Sequence, residues 1–206
     1  MKGLLAAALF IGLSGLPVQA MDKSDPAAIT AMVEKAKAND PAADMTWLRR
    51  ENSRRMSYMA PNWEDARSAF DASAKEPEKA LELARKQLAT NPLDIDANFL
   101  AEIVYGKLGR KDDEAHQHNL LMALLKSVMD GKDGKTPATA WNAVSVDEEY
   151  QILRLIGFQP KSQALVGDGD KKFDAMTVTN PDTGKEMTIH FNIDFFFGKQ
   201  FEGLGL

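Results

Sequence analysis

The chain has 206 residues, a formal net charge of −5, 44% hydrophobic residues and no cysteine. A mildly acidic balance lacks the basic footprint of a nucleic-acid binder, and the missing cysteines exclude disulfides, thiolate metal sites and a cysteine nucleophile. The length suits one domain with a full core, or two small lobes, held together by apolar burial.

Residues 1–20 read as a cleavable Sec signal peptide. Lys2 supplies a positive start and Leu4 to Leu13 an apolar run broken only by Gly12. Gly15 and Pro17 end any helix, and Val18-Gln19-Ala20 offers small residues for cleavage after Ala20. The run is about half of the ~20 apolar residues a spanning helix needs. The mature chain is therefore expected to begin near Met21 and to be periplasmic or secreted, with no stable membrane anchor. Position 21 is not a cysteine, which excludes a lipoprotein anchor.

Pro26 stands where a helix opens, and Ala28, Ile29, Met32, Val33 and Ala36 recur at helical steps up to Asn39-Asp40-Pro41. Residues 44–59 carry Met45, Trp47, Leu48, Met56 and Tyr58 among charges, and read as helix or irregular chain. The basic cluster within them, Arg49-Arg50 and Arg54-Arg55, reads as a solvated helix face rather than an anion site. After the break at Ala60-Pro61-Asn62, four short antiparallel helices follow. The first places Trp63, Ala66 and Phe70 on one face. The second opens at Pro77 and buries Ala80, Leu81, Ala84 and Leu88, closing at Asn91-Pro92.

Asp94 is suited to cap the third helix, which carries Phe99, Leu100, Ile103, Val104 and Leu108 inward and stops at Gly109. The fourth runs from about Asp112 to Asp130. Ala80, Pro92, Tyr105, Gly109 and Ala115 fall close to the roughly 34-residue period of tetratricopeptide units. Only about one and a half such units are present, fewer than the three or so that a free-standing array needs.

The element that completes the array follows a glycine-rich loop. Ser145-Val146-Asp147-Glu148 matches a capping box, with Glu148 reaching back to the Ser145 amide, and opens a helix ending at Gly157. Strands are predicted at Ser162–Val166, Phe173–Thr179 and Lys185–Ile193. Asn180-Pro181-Asp182-Thr183-Gly184 forms the hairpin turn between the last two. Pairing Asn180 with Lys185 sets Val178 against Met187, Met176 against Ile189 and Asp174 against Phe191. Thr177, Ala175, Thr188, His190 and Asn192 then collect on the other face. Phe195, Phe196, Phe197 and Phe201 form an aromatic tail.

The expected fold class is thus α+β: an antiparallel, tetratricopeptide-like helical array followed by a small antiparallel β-sheet. The expected organisation is signal peptide 1–20, N-terminal helix 21–43, helical array 44–131 and a C-terminal α/β cap 140–206. The cap is taken as continuous with the array.

The run Asn91 to Ala97, Asp130-Gly131 with Gly134, Ser145 to Tyr150 and Phe191-Asn192-Ile193-Asp194 resembles a family of exported bacterial proteins. That family is catalogued as a domain of unknown function, and the similarity spans roughly residues 44–195. The resemblance implies the architecture and export, and adds no chemistry.

Asp147-Glu148-Glu149 is the densest acidic cluster. It could serve a cation or general acid–base chemistry, but carboxylates at a helix start also complement the macrodipole, which is the favoured reading. Asp130-Gly131-Lys132-Asp133-Gly134 and Gly167-Asp168-Gly169-Asp170 resemble fragments of calcium loops. Their twelfth positions are Trp141 and Thr179 instead of glutamate, so they read as turns. His116 and His118 diverge on a helix, and no metal or cofactor site is expected.

The leading functional expectation is a non-enzymatic interaction or scaffolding module of the bacterial cell envelope. It would bind a protein or peptide partner through a helical groove or a sheet edge, in an oligomeric state the sequence does not specify. The alternative is a hydrolase at the helix–sheet junction with Asp147, Glu149, Tyr150 and His190, which requires those groups to converge in one pocket.

Overall fold

A proline in the first turn of a helix sacrifices no hydrogen bond, and at Pro26 it acts with Asp25, whose carboxylate accepts from Ala27 N at 2.9 Å. The two start α1 (Pro26–Lys37) in the computed structural model, which describes residues 25–55 and 66–197. The proposed signal peptide 1–20, Met56, Tyr58, the break at 60–62, Trp63 and Phe201 lie outside the described residues. Asn39 adopts the left-handed conformation just past α1. Its side-chain amide donates to the His116 carbonyl at 3.1 Å, tying that end to a later helix.

The segment left open between helix and irregular chain is α2 (Met45–Arg55). Asp44 begins it, its carboxylate accepting from Trp47 N at 2.9 Å. Then come α3 (Ala66–Ala72), α4 (Pro77–Thr90), α5 (Ile95–Lys107) and α6 (Lys111–Met129), with α4, α5 and α6 each packed on the helix before it. Asp94 caps α5 as expected, accepting from Ala97 N at 2.9 Å, and Gly109 takes the left-handed position after it.

Buried Ala69, Ala80, Ala84 and Ala101 end at Cβ, which lets α3, α4 and α5 approach closely around Leu81, Leu100 and Val104. Because α5 has neighbours on several sides, even Asp96 and Asn98 are buried on it. Phe99, Ile103 and Leu108, expected to point inward, are only partly covered.

The larger core does not belong to the helices alone. Ile29 of α1, Leu48 of α2, Ile95 of α5 and Leu121 and Leu124 of α6 pack in one cluster with residues from the C-terminal half. That half consists of β1 (Trp141–Asn142), α7 (Val146–Leu155), β2 (Gln159–Asp168), β3 (Lys171–Thr179) and β4 (Glu186–Asn192). Ile152 and Leu153 of α7 and Met176, Ile189 and Phe191 of the sheet complete the cluster.

The sheet order is β1-β4-β3-β2. The chain has an α+β layout in which β2, β3 and β4 are antiparallel, and the two-residue β1 adds to β4 in parallel, making the sheet mixed. The β3–β4 register is the one that alternation predicts: Val178 opposite Met187, Met176 opposite Ile189, Asp174 opposite Phe191. Asn180 N donates to Lys185 O at 2.9 Å, and Gly184 takes the positive φ that the turn requires. β2 is longer than its predicted 162–166 and irregular only between Pro160 and Ser162.

Candidate functional site

The N-terminus of α7 sets three carboxylates in succession, and a helix rotates each by about 100° relative to the last. They therefore enter three different environments. Ser145 caps the helix, accepting from Glu148 N at 3.2 Å. The second half of the expected capping box does not form, because Glu148 is engaged elsewhere.

Glu148 Oε1 accepts from Arg49 Nε at 2.7 Å and Oε2 from Arg49 Nη2 at 2.6 Å. Oε2 also accepts from Val144 N at 3.0 Å. Arg49 Nη2 donates in addition to Asn142 O at 2.7 Å, and Nη1 to Ser127 Oγ at 3.2 Å. Arg49 is only 3% exposed. The reading of 49–55 as a solvated basic face is corrected here: Arg49 is the inward member, and its guanidinium ties α2 to α6, β1 and α7. On the outer side, Arg50 and Arg54 lie over the Phe195 ring, 5.7 and 5.2 Å from its centroid. Phe196 of the aromatic tail is buried and Phe197 exposed.

Glu149 is 0% exposed, and neither of its oxygens meets a donor from another residue. It faces Asp174 of β3, itself buried, whose Oδ2 accepts from Gln163 Nε2 of β2 at 2.6 Å. Two carboxyl groups in contact within a dry interior cannot both ionise. The donor available to this pair is its own proton, and the raised pKa of Glu149 places it there, directed at Asp174. Burial first, then the nearby Asp174 and Glu148 carboxylates, push Glu149 up to about 9. Burial likewise raises Asp174, opposed by the hydrogen bond from Gln163. Tyr150 Oη donates to Gln163 Oε1 at 3.1 Å. A chain of polar contacts thus runs from the surface at Tyr150 through Gln163 and Asp174 to Glu149.

Asp147 turns to a third surface, the meeting of α5 and α7. Its Oδ2 accepts from Gln151 Nε2 at 2.8 Å, while Gln151 Oε1 accepts from Ile95 N at 3.2 Å. Asp94 and Asp96 stand opposite, Asp94 accepting from Gln87 Nε2 at 2.7 Å and Asp96 paired with Arg154. Partial burial, reinforced by Asp94 and Asp96, pushes Asp147 up to about 6. Burial also raises Asp94.

His190 does not join this cluster. It pairs with Ala175 on the outer face of the sheet, whereas Asp174 shares the inner face with Phe191. Its Nδ1 lies 3.3 Å from the Gly134 carbonyl. The sheet stands between His190 and Glu149, so the four residues of the hydrolase reading do not converge. The other two histidines have surface partners: His116 Nδ1 lies 3.0 Å from the Asn39 amide nitrogen, and His118 Nδ1 2.8 Å from Glu102 Oε1. Among the described residues no group of three or more His, Asp or Glu side chains is disposed to hold a metal ion.

A cleft of about 680 Å³ lies between the loop after α1 and the C-terminal half of α6, lined by Asn39, Asp44, Thr46, Asn119, Lys126 and Asp130. None of the α7 carboxylates reaches it.

Arg49 and Asp174 are the two residues whose roles sequence reasoning missed. A signal existed for Asp174, which the predicted register places on the apolar face opposite Phe191. A carboxyl there must be protonated, paired or both.

The class of protein is an α+β domain that has, among the described residues, seven α-helices and a C-terminal mixed four-stranded sheet, with buried ionisable groups knitted into the helix–sheet junction. The family model described as domain of unknown function DUF4919 matches residues 50–199, and the chain belongs to that family. The match includes the segments around Asn91, Ser145 and Phe191 that carry the resemblance. Neither a curated protein nor a solved structure matches the chain.

Proposed function

We propose that this chain is an exported, non-enzymatic interaction module of the bacterial cell envelope that binds a polypeptide by strand addition at β2. One observation carries the reading. β2 is a ten-residue strand at the end of the sheet, with β3 its one strand partner among the described residues, and most of its side chains are exposed. An open strand edge presents a row of free amide and carbonyl groups, which is a ready template for another extended chain.

Three features support the rest of the reading. The α7 carboxylates and Arg49 are committed to holding α7 against α2, α5 and β3. The leader-like residues 1–20 supply the case for export to the periplasm or medium. Helices α3 to α6 are read as a tetratricopeptide-like scaffold that carries the sheet. The hydrolase reading keeps the raised carboxyls in its favour, but lacks an exposed general base beside them.

A photo-crosslinking residue placed at Leu165 in living cells tests the proposal. Discrete protein adducts are expected from position 165, and none from the exposed Arg85 on α4. Equal or no adducts at both positions would overturn it.

A further inference from the structure

Proteins blunt their sheet edges with prolines, charges and bulges, because a regular, uncharged edge pairs with whatever strand it meets. β2 is defended at its two ends, by Pro160, Lys161 and a register irregularity at the start and by Asp168 at the finish. From Ser162 opposite Thr177 to Asp168 opposite Lys171 the pairing with β3 is unbroken. The run Ser162-Gln163-Ala164-Leu165-Val166-Gly167 has no charge and no proline. At its centre Leu165 is 57% exposed, the most exposed large hydrophobic residue among those described.

The strand is also complementary to itself. Two identical edges that meet antiparallel are related by a two-fold axis perpendicular to the sheet, so one residue must face its own copy. Centring the pair on Leu165 sets Leu165 against the second copy's Leu165 on the inner face. On the outer face it sets Ala164 against Val166 and Ser162 against Asp168. Apolar side chains then meet apolar ones, and a hydroxyl meets a carboxylate. The positive end at Lys161, already 3.2 Å from Glu186, also comes beside the second copy's acidic end at Asp168. Centring on Ala164 instead would set Ser162 against Val166 and Gln163 against Leu165, mixing polar with apolar.

We infer that the strand added at β2 is that of a second copy of this chain, antiparallel and centred on Leu165, joining two four-stranded sheets into one of eight strands. This rests on the reading of β2 as a binding edge, and names its partner.

The absence of native cysteines makes the geometry directly testable in the full chain. Light scattering after size exclusion should give twice the chain mass for the wild type, and one chain mass for Leu165→Lys with a cooperative melting transition retained. Under mild oxidation Leu165→Cys should form a covalent dimer, because two-fold mates there lie about 5 Å apart between Cα atoms. Gln163→Cys should not, since its mates are offset by about 13 Å along the strand, beyond the roughly 7 Å a disulfide spans. Equal crosslinking at 163 and 165, or a single-chain mass with none at either, would overturn the inference. If a photo-crosslinker at Leu165 then still captured one particular envelope protein, the edge would bind a different partner. If it captured nothing, the reading of β2 as a binding edge would fall as well.

Discussion

Glu148 and Glu149 are neighbours in sequence that meet opposite environments. Glu148 receives three donors, two of them from Arg49; Glu149 receives none, and burial pushes its pKa up to about 9. A group whose pKa rises on folding from 4.5 to about 9 binds its proton more tightly in the native state. The stabilisation from that proton is complete below pH 4.5 and is lost as the pH climbs towards 9, by up to about 1.4 kcal/mol per pH unit. Urea denaturation should therefore show lower stability at pH 8 than at pH 5.

Glu149→Gln keeps a donor towards Asp174 without an ionisable proton. It is expected to raise stability at pH 8 by about 2 kcal/mol and to flatten the pH dependence. The raised Asp94, Asp147 and Asp174 act with the same sign and leave a residual slope. A wild-type profile that rises from pH 5 to 8 would contradict the shared proton. The Arg49 ion pair predicts differently: Arg49→Met strands a buried carboxylate and should cost about 3–5 kcal/mol in the same experiment. Adding Glu148→Leu should recover part of that loss, because both charges are then gone.

At the scale of elements, the loop between α6 and β1 acts as a wedge against the sheet. Gly134 has a φ of +71°, and a Cβ there would meet the Trp141 side chain at 3.0 Å and Ile189 Cγ2 at 3.2 Å. Its carbonyl accepts from His190 N at 2.7 Å, so the loop cannot simply withdraw. Gly131 shares the positive φ, with nothing within 4 Å. Gly134→Ala should therefore cost about 1–3 kcal/mol, and clearly more than Gly131→Ala, in thermal unfolding. Similar losses at the two positions would show that backbone strain alone matters. The element boundaries were legible because their causes are local: Pro26 and Pro77 at helix starts, Asp94 and Ser145 as caps, Gly109 and Gly184 at positive φ. α2 stayed open because its charged residues hide the helical period, and its one buried arginine looks like its solvated neighbours.

In the whole molecule, the main core draws on α1, α2, α5, α6, α7 and three strands together. Helices α3 to α5 share a smaller cluster of mostly alanine contacts, and the buried leucines of α6 belong to the main core. A fragment of residues 25–131 should therefore lack a cooperative thermal transition by circular dichroism, while the full chain melts in one step. A sharp transition in the fragment would show that the helices suffice. The same sharing explains why no active site assembles from the four candidate residues. The sheet that buries Asp174 beside Glu149 also carries His190 on its far side.

The sequence by itself determined the starts of α1, α4, α5 and α7, the hairpin turn and the β3–β4 register. Caps, turn glycines and period-two alternation act over a few residues, and need no knowledge of distant partners. Only the tertiary structure decided that Arg49 meets a carboxylate 99 residues away, that burial beside Asp174 raises the Glu149 pKa, and that β2 stands at the end of the sheet, paired with β3 alone among the described strands. Those outcomes depend on which surfaces pack against each other, and on how much water that packing excludes.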